Sequence, residues 1–350
     1  MSSDPASAPL PRALAALAHG HSLDERHASE VFGVVMRGEA TPVQLAALLM
    51  ALRVKGETAE EVAGAARALR AAMVRVEAAT EPLVDTCGTG GGSVSTFNIS
   101  TAAAFVAAGA GAVVAKHGNR SFTSRCGSAD VLEALGVRIA LAAPEAARVL
   151  REACITFLFA PNFHPAMKHA GPVRRELAVP SVMNLLGPLA NPAGARRQVV
   201  GVADRARAPL VAHALARLGA EHALVVHGRV GMDEVAPHGV SDVWEVQDGD
   251  VRVWELDPAR YGLAIADVAS LAGADPPANA ARIERLLDDA TGDGDPAGFA
   301  ALVLNAAAAI YVAGLARSFG DGVTRAREVL RAGEGRTALE RLRRATSSGE

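Results

Sequence analysis

The sequence predicts an α/β protein in which a small all-helical domain is joined to a larger α/β domain with a central mixed or parallel sheet flanked by helices. Two observations predict this class. Residues 1–80 carry helix start signals on amphipathic segments, and from residue 83 onward short β-rich runs alternate with helical segments. Such alternation is typical of parallel strands that helices cover on both faces.

The helical domain is predicted from capping signals. Segments of the form S/T-x-x-E/Q, the capping-box pattern of a helix N-terminus, begin at Ser22, Thr41 and Thr58. Pro42 occupies the favoured first helical position, and Gly56 is expected to end that helix. Between them, four leucines at helical spacing predict one apolar face: Leu45, Leu48, Leu49 and Leu52.

The α/β domain is predicted from β-rich runs and the helical segments between them. The expected strands are residues 83–87, 112–116, 155–160, 198–202 and 223–227, and the expected helices are 129–135, 144–153 and 209–218. Residues 243–255 are a predicted hairpin turning at Asp248-Gly249, residues 305–315 an alanine-rich helix, and residues 325–344 one solvated amphipathic helix. The predicted domain limits are 1–80, with a returning crossover near 168–190, and 81–167 with 191–350.

Composition narrows the class of protein. The 350-residue chain is 50% hydrophobic with a formal net charge of −3, which argues against nucleic acid or a membrane as the main partner. The scattered cysteines Cys87, Cys126 and Cys154 are interpreted as reduced thiols of a cytoplasmic protein. The sequence shows neither a signal peptide nor an apolar run of membrane-spanning length.

The most informative motif is CGTGGGSVSTFNIST at residues 87–101, with four glycines in five positions before a run of hydroxyl and amide side chains. Glycines let successive backbone N–H groups converge on one point, and such a nest before a helix N-terminus is typical of a phosphate site. The loop matches neither the ATP P-loop nor the dinucleotide fingerprint. A tight turn without a ligand is the alternative.

A second motif, KHGNRSFTS at residues 116–124, begins where the predicted β-rich run ends, directly after residues 112–115. Ligands of α/β sheets lie beyond the carboxyl ends of strands, and these cations, amide and hydroxyls suit a phosphate ester. A solvated polar turn is the alternative. Ser128, which opens the next helix, could either face an anion or serve only as an N-cap.

Two further segments complete the candidate site. Asp233 and Glu234 follow the predicted strand 223–227, where carboxylates can bind Mg²⁺ together with substrate phosphates; an ordinary surface turn is the alternative. In residues 162–175, aromatic, apolar and cationic groups suit a flat anionic substrate, and Arg174 could hold a carboxylate by two parallel hydrogen bonds. A surface helix with scattered cations explains that segment equally well.

These motifs together resemble the anthranilate phosphoribosyltransferase family, in order and at fitting separations. KHGNR at residues 116–120 and NLLGPLANP at 184–192 carry the resemblance most specifically. The resemblance implies a homodimer with a fold shared with pyrimidine nucleoside phosphorylases. It also implies Mg²⁺-dependent transfer of phosphoribosyl from phosphoribosyl pyrophosphate (PRPP) to anthranilate in tryptophan synthesis.

The resemblance implies three sets of site residues. The PRPP-binding positions are Gly88, Gly91, Gly92, Thr96, Asn98, Ile99, Ser100, Thr101, Lys116, His117, Gly118, Asn119, Arg120, Ser121, Phe122, Thr123, Ser124 and Ser128. The anthranilate-binding positions are Gly88, Asn119 and Arg174, with His117 and Pro188 along the path of anthranilate. The Mg²⁺ ligands are Ser100, Asp233 and Glu234, and no residue is assigned as a general base.

The chain departs from the family pattern at two positions. Gly92 stands where the family commonly has Asp, which removes a carboxylate near the pyrophosphate or its metal, and Thr123 stands where Ser is usual. Two rival functions remain: a nucleoside phosphorylase of the same fold, whose usual Lys-x-Ser-Thr-Gly-Gly loop is missing, and a nucleic-acid-binding relative, which the net charge and Arg174 disfavour.

Overall fold

The protein is described by a computed structural model over residues 8–78, 82–121 and 125–347. The helices are α1 (Pro9–Ala18), α2 (Glu25–Met36), α3 (Pro42–Lys55), α4 (Ala59–Ala72), α5 (Ile99–Gly109), α6 (Ser128–Ala134), α7 (Ala143–Ala153), α8 (Ala160–Phe163), α9 (Gly171–Leu177), α10 (Met183–Leu186), α11 (Ala208–Arg217), α12 (Pro276–Asp288), α13 (Pro296–Val312), α14 (Phe319–Arg331) and α15 (Glu334–Ser347). The strands are β1 (Leu83–Gly88), β2 (Val113–Gly118), β3 (Ile155–Phe159), β4 (Arg197–Gly201), β5 (His222–Gly228), β6 (Ser241–Gln247) and β7 (Asp250–Leu256). Short 3₁₀ helices lie at Pro165–His169, Arg205–Arg207, Pro258–Tyr261 and Val268–Leu271.

The N-terminal helices form where the capping signals predict them, with one correction. Thr41 and Thr58 each cap a helix in a complete capping box, with Gln44 and Glu61 as their partners. The predicted box at Ser22 is wrong, because Asp24 is the N-cap of α2 and accepts the His27 N–H at 2.7 Å. A carboxylate two residues later therefore replaces the Ser22 hydroxyl.

One seven-stranded mixed sheet organises the remainder, in the order β3-β2-β1-β4-β5-β6-β7. Strands β1 to β5 run parallel, and β6 and β7 are antiparallel additions at one edge. The β6–β7 turn has positive φ at both Asp248 and Gly249, as a tight type I′ hairpin requires. The predicted fold class, a helical part plus a mixed sheet flanked by helices, is confirmed.

Two large apolar clusters pack the two faces of this sheet. One contains the almost wholly apolar helices α5 and α13, together with the apolar faces of α14 and α15. The other joins α1–α4 and the α9–α10 segment to α11 and the opposite sheet face. After β3 the chain therefore returns, through α9 and α10, to pack against the N-terminal helices α1–α4, and we call this group the helical cluster. The domain limits 1–80, 81–167 and 191–350 stay a prediction.

The C-terminal region differs from its prediction. The sequence pattern predicts one solvated helix over residues 325–344, but α14 ends before Gly333, whose φ is 68°, and α15 begins at Glu334. Both helices bury an apolar face, including Leu330 and Leu339. Among the described residues, every helix is too short or too polar to cross a membrane.

Candidate active site

Three loops meet beyond the carboxyl ends of the parallel strands, where α/β sheets hold ligands. We call them the glycine loop (residues 88–98, after β1), the basic loop (residues 118–121 and 125–127, after β2) and the acidic loop (residues 229–236, after β5). Strand β4 separates β1 from β5 in the sheet. The acidic loop therefore has to cross the end of β4 to reach the glycine loop.

Glycines at the strand ends make this crossing possible. A Cβ atom at Gly201, the last residue of β4, would lie 1.7 Å from the carbonyl oxygen of Asp233. A Cβ atom at Gly88 would lie 3.0 Å from Asp233 Oδ2. Any side chain at Gly201 would thus displace the acidic loop. Sequence reasoning missed this requirement at Gly201, which lies inside a predicted strand.

The two carboxylates of the acidic loop face the glycine loop. Asp233 Oδ2 accepts the N–H of Gly90 at 3.0 Å, and Glu234 Oε1 accepts the N–H of Ser100, in the first turn of α5, at 3.2 Å. A helix N-terminus favours such negative charge. The structure therefore brings together Asp233, Glu234 and Ser100, the predicted Mg²⁺ ligands.

The electrostatics of this carboxylate pair suit a divalent cation. Burial raises the pKa of Glu234 to about 8, and the neighbouring Asp233 carboxylate contributes to that rise; burial likewise raises the pKa of Asp233. A bound cation would stabilise both ionised forms. No group of three or more His, Cys, Asp or Glu side chains in the described ranges could hold a metal ion alone. The donor set fits Mg²⁺, which binds few carboxylates and takes substrate oxygens as well.

The glycine loop presents unused hydrogen-bond donors next to this pair. Gly90 and Gly91 have φ values of 65° and 81°, which side chains rarely adopt. The N–H groups of Thr89, Gly90 and Ser93 are bound within the protein, whereas those of Gly91 and Gly92 have no partner among the described residues. Two adjacent N–H groups without a partner in the described ranges are typical of an anion-binding site.

Lys116 lies beneath the loops rather than in the open site. Its side chain is buried, and its ammonium donates to the carbonyl oxygen of Thr86 and to the hydroxyls of Thr86 (3.3 Å) and Ser100 (3.2 Å). Burial lowers the pKa of Lys116, while the charges of Asp85 and Glu234 oppose that shift. The Lys116 ammonium thus holds Ser100 in place from below.

Buried polar contacts fix the end of β2. The Asp85 carboxylate accepts the His117 N–H at 3.0 Å and the Asn191 side-chain N–H at 2.8 Å. The His117 and His164 Nε2 atoms lie 3.2 Å apart. Burial lowers the pKa of His117 to about 3 and that of His164 to about 4, so both imidazoles are neutral at physiological pH. The Gly187 carbonyl also interacts with the His117 ring, which brings the predicted Pro188 segment to His117.

The basic loop is held by α6. Arg120 pairs with Asp130 at 2.7 Å and with Glu133 at 2.6 Å. Ser128 is the first residue of α6 and not its N-cap, since Gly127 precedes it and Asp130 accepts the Gly127 N–H. The Ser128 hydroxyl instead donates to the carbonyl oxygen of Asn119 at 3.2 Å, joining the two ends of the loop. The predicted positions Phe122, Thr123 and Ser124 lie outside the described residues.

Hydrogen bonds to Cys126 and Asn279 hold Asn98, at the C-terminal end of the glycine loop. The Asn98 side chain donates to the Cys126 carbonyl at 3.1 Å and accepts from Asn279 of α12 at 3.0 Å. Thr96 pairs with Ala272 in an isolated antiparallel bridge. Among the remaining predicted PRPP positions, Ile99 and Thr101 are buried at the start of α5, and Gly118 and Ser121 flank Asn119 and Arg120 in the basic loop.

Arg174 lies on α9 in the helical cluster and is half-buried. Its guanidinium has no hydrogen bond or ion pair with any described residue, and burial lowers its pKa. A partly desolvated guanidinium without a counter-ion is poised to accept a ligand carboxylate. The chain from His164 to Arg174 links α9 to the His117 contact at the end of β2.

Sequence reasoning missed the polar residues that support the site from buried positions: Asp85, Asn191, Asn279 and Asn305. Each is at most 3% exposed and is hydrogen-bonded. The available signal was a polar side chain within an otherwise apolar element, as at Asn305 in the alanine-rich helix. Such a residue is retained only where its hydrogen bonds are satisfied.

The comparisons with known proteins agree with this geometry. Residues 80–336 match the "Glycosyl transferase family, a/b domain", and residues 11–73 match the "Glycosyl transferase family, helical bundle domain". The chain is 50% identical to the anthranilate phosphoribosyltransferase of Roseiflexus sp. (strain RS-1), over 95% of this chain and 97% of that protein.

Two solved structures are similar over nearly the whole chain. The crystal structure of anthranilate phosphoribosyltransferase from Thermus thermophilus matches with a TM-score of 0.90 and 44% identity, covering 96% of this chain and 99% of that chain. The Saccharomyces cerevisiae enzyme in complex with PRPP and Mg matches with a TM-score of 0.88 and 28% identity, covering 98% and 99%. The chain therefore belongs to the anthranilate phosphoribosyltransferase family.

Proposed function

We propose that the protein catalyses the Mg²⁺-dependent transfer of the phosphoribosyl group from PRPP to anthranilate. The products are N-(5-phosphoribosyl)anthranilate and pyrophosphate, and the reaction belongs to L-tryptophan biosynthesis. The observation that carries the proposal is that the Asp233–Glu234 pair lies beside the N–H groups of Gly91 and Gly92, which have no partner among the described residues. This juxtaposition suits a metal-bound pyrophosphate, and the relatives named above support the rest of the reaction.

We infer the following division of labour among the residues. The Gly91 and Gly92 N–H groups donate to the pyrophosphate, and the basic loop and Ser128 bind the remainder of PRPP. Ser100, Asp233 and Glu234 would hold Mg²⁺, which, when bound, neutralises charge on the departing pyrophosphate. Lys116 keeps Ser100 oriented and adds positive charge beneath the site.

Arg174 holds the anthranilate carboxylate, with Asn119 and Gly88 completing the anthranilate contacts. As the bond from C1 of ribose to pyrophosphate breaks, the anthranilate amine forms a bond to C1 from the opposite face and releases one proton to solvent. Neutral His117 and His164 give the approach path an uncharged surface that suits an aromatic ring. Positioning of the two substrates then supplies much of the rate.

A fluorescence assay tests this function. Purified protein is mixed with PRPP, Mg²⁺ and anthranilate, and the loss of anthranilate fluorescence is followed. The loss should require all three additions and should stop when the metal is chelated. If a folded sample caused no loss at any Mg²⁺ concentration, the proposed reaction would be wrong; consumption of a pyrimidine nucleoside with free phosphate would indicate the phosphorylase instead.

We further propose a homodimer in the cytoplasm. Helix α3 exposes an apolar stripe of Val43, Ala47, Met50 and Val54, and the two valines are 78% and 81% exposed. A second copy of the chain is the occupant that the family resemblance suggests. The cysteines, none of which forms a disulfide, suit a reducing compartment.

A further inference from the structure

Helix α13 contains one buried amide that its own stability does not require. The helix is almost wholly apolar and buried, yet Asn305, 3% exposed, lies in its middle. Asparagine has a poor helix propensity, and burying its amide is costly unless every polar atom is paired. An apolar residue would suit the helix alone better. Asn305 is therefore explained by hydrogen bonds to a segment outside the helix.

The segment that Asn305 binds is the acidic loop. The Asn305 side chain accepts the Val235 N–H at 3.0 Å and donates to the Val235 carbonyl oxygen at 3.0 Å. Its second N–H donates to the carbonyl oxygen of Ala301 at 2.9 Å, which orients the amide within the helix. One side chain thus binds both polar groups of a single backbone residue, as a neighbouring strand would.

Val235 directly follows Asp233 and Glu234, so its backbone sets the direction of both carboxylates. On the other side of the pair, the Met232 carbonyl accepts the Gly228 N–H at 2.9 Å. Rotation of the Val235 peptide would swing the Glu234 carboxylate away from the Ser100 N–H. Two side chains oppose this rotation: Ser241 accepts the Ala236 N–H at 2.9 Å, and Asn305 binds both polar groups of Val235 from the side of the apolar core.

We propose that Asn305 is a positioning residue that aligns the Asp233 and Glu234 carboxylates for metal binding by clamping the Val235 backbone. The inference rests on the proposed function for the identity of the bound group, Mg²⁺ with PRPP. It assigns a role in metal recruitment to a residue that contacts neither substrate nor metal. The same clamp would hold the acidic loop in place before any ligand arrives.

The test compares Asn305→Leu, which keeps the branched shape but removes the hydrogen bonds, with Tyr311→Phe. Tyr311 lies on the same helix and donates to Glu245 at 2.8 Å near the opposite end of the sheet, so its variant controls for loss of a partly buried side-chain hydrogen bond in α13. Three quantities are measured: amide hydrogen exchange of the peptide containing Val235 without ligand, Mn²⁺ affinity with PRPP present by electron paramagnetic resonance, and the Mg²⁺ dependence of the rate.

For Asn305→Leu we expect hydrogen exchange at Val235 to rise about tenfold or more, and metal affinity to fall by roughly fivefold or more. The rate should recover at high Mg²⁺, so that the metal requirement changes more than kcat. Tyr311→Phe should leave all three quantities near wild type. If Asn305→Leu does not fold, Asn305→Ser replaces it, because its smaller side chain fits without overpacking.

Two results would overturn the proposal. Wild-type metal affinity in the Asn305 variant, with or without faster exchange, would show that the clamp does not align the carboxylates. Equal losses of metal affinity in the Asn305 and Tyr311 variants would show that the loss comes from a less stable α13 and not from the Asn305–Val235 contact. Inactivity of the wild-type protein with anthranilate would count against the proposed function alone, because the Mn²⁺ and exchange measurements need no turnover.

Discussion

Arg174 is the residue whose proposed role follows most directly from its surroundings. Its half-buried guanidinium has no partner among the described residues. Arg174→Ala removes a charge-assisted pair with the anthranilate carboxylate. We expect kcat/KM for anthranilate to fall roughly 10- to 150-fold, which corresponds to a loss of about 1.5–3 kcal/mol of transition-state stabilisation. PRPP affinity, measured by calorimetry, should be nearly unchanged. Arg174→Lys is the matched control and should restore only part of the rate, because Lys lacks the planar fork. Equal losses for both substrates would make Arg174 structural.

The Asp233–Glu234 pair predicts a change in metal requirement. Asp233→Asn and Glu234→Gln keep the shape of each side chain but remove its charge, so each should lower activity and raise the Mg²⁺ concentration needed for it. Initial rates against Mg²⁺ at fixed substrate concentrations measure this, and anthranilate binding without metal should scarcely change. A wild-type metal curve in both variants would reduce the pair to an ordinary turn.

Gly92 provides the converse experiment. A Cβ atom at this position would lie 3.2 Å from Asp233 Oδ1 and 3.0 Å from the Gly231 carbonyl oxygen. Gly92→Asp would therefore add a carboxylate beside the proposed metal ligands, after a small shift of the acidic loop. We expect the Mg²⁺ optimum of the rate to move to lower concentration. An unchanged optimum in an active variant would show that position 92 does not face the metal.

The buried His117–His164 pair predicts how stability depends on pH. Their pKa values in the folded protein, about 3 and about 4, lie below the ordinary value of 6.5. Between pH 6.5 and 4 the unfolded chain binds protons that the folded protein does not, so the free energy of unfolding falls as pH falls. Between pH 6.5 and 5 the free energy of unfolding of His164→Asn should fall by about 2 kcal/mol less than that of the wild-type protein, measured by urea unfolding. Replacing the exposed His213 by Asn is the control, and equal pH slopes in wild type and His164→Asn would contradict the assignment.

At the scale of elements, local signals in the sequence predicted most of the structure. The capping boxes at Thr41 and Thr58 and the five parallel strands form within a few residues of their predicted limits, because cap chemistry and β-rich runs act over short distances. The wrong predictions needed tertiary information. Gly333 ends α14 although the amphipathic pattern continues, and α2 begins after Asp24 rather than after Ser22.

The candidate site divides in the same way. Motifs predicted which loops gather at the sheet edge, because the carboxyl ends of parallel strands lie together. They did not predict that Lys116 lies beneath Ser100, or that Asn279 and Asn305 brace the loops from distant helices. The Asn279 and Asn305 contacts join residues far apart in sequence, and they follow from the packing of α12 against α6 and of α13 against the sheet. Support of this kind is visible only in the assembled fold.

At the scale of the whole molecule, helix α3 predicts self-association. Val43, Ala47, Met50 and Val54 follow the spacing i, i+4, i+7, i+11, which places them along one side of the helix, opposite the buried leucines. A continuous apolar stripe with two valines about four-fifths exposed is typical of an interface rather than of a monomer surface. Isologous pairing of α3 with its copy would cover the stripe in both subunits.

The prediction is that the double variant Val43→Glu, Val54→Glu weakens the dimer by more than about tenfold, because pairing would then bury four carboxylates near the two-fold axis. Light scattering coupled to size exclusion, over a range of protein concentrations, measures this shift to monomer. Val253→Glu is the matched control: Val253 is 63% exposed on the edge strand β7, away from α3, and its replacement should leave the mass unchanged. A monomeric wild-type protein, or a double variant that dimerises as tightly as wild type, would exclude α3 as the interface. Both valines face away from the leucine core, so their replacement should leave the monomer folded. A melting temperature of the dissociated variant equal to that of the wild-type protein would show that association was lost without loss of the fold.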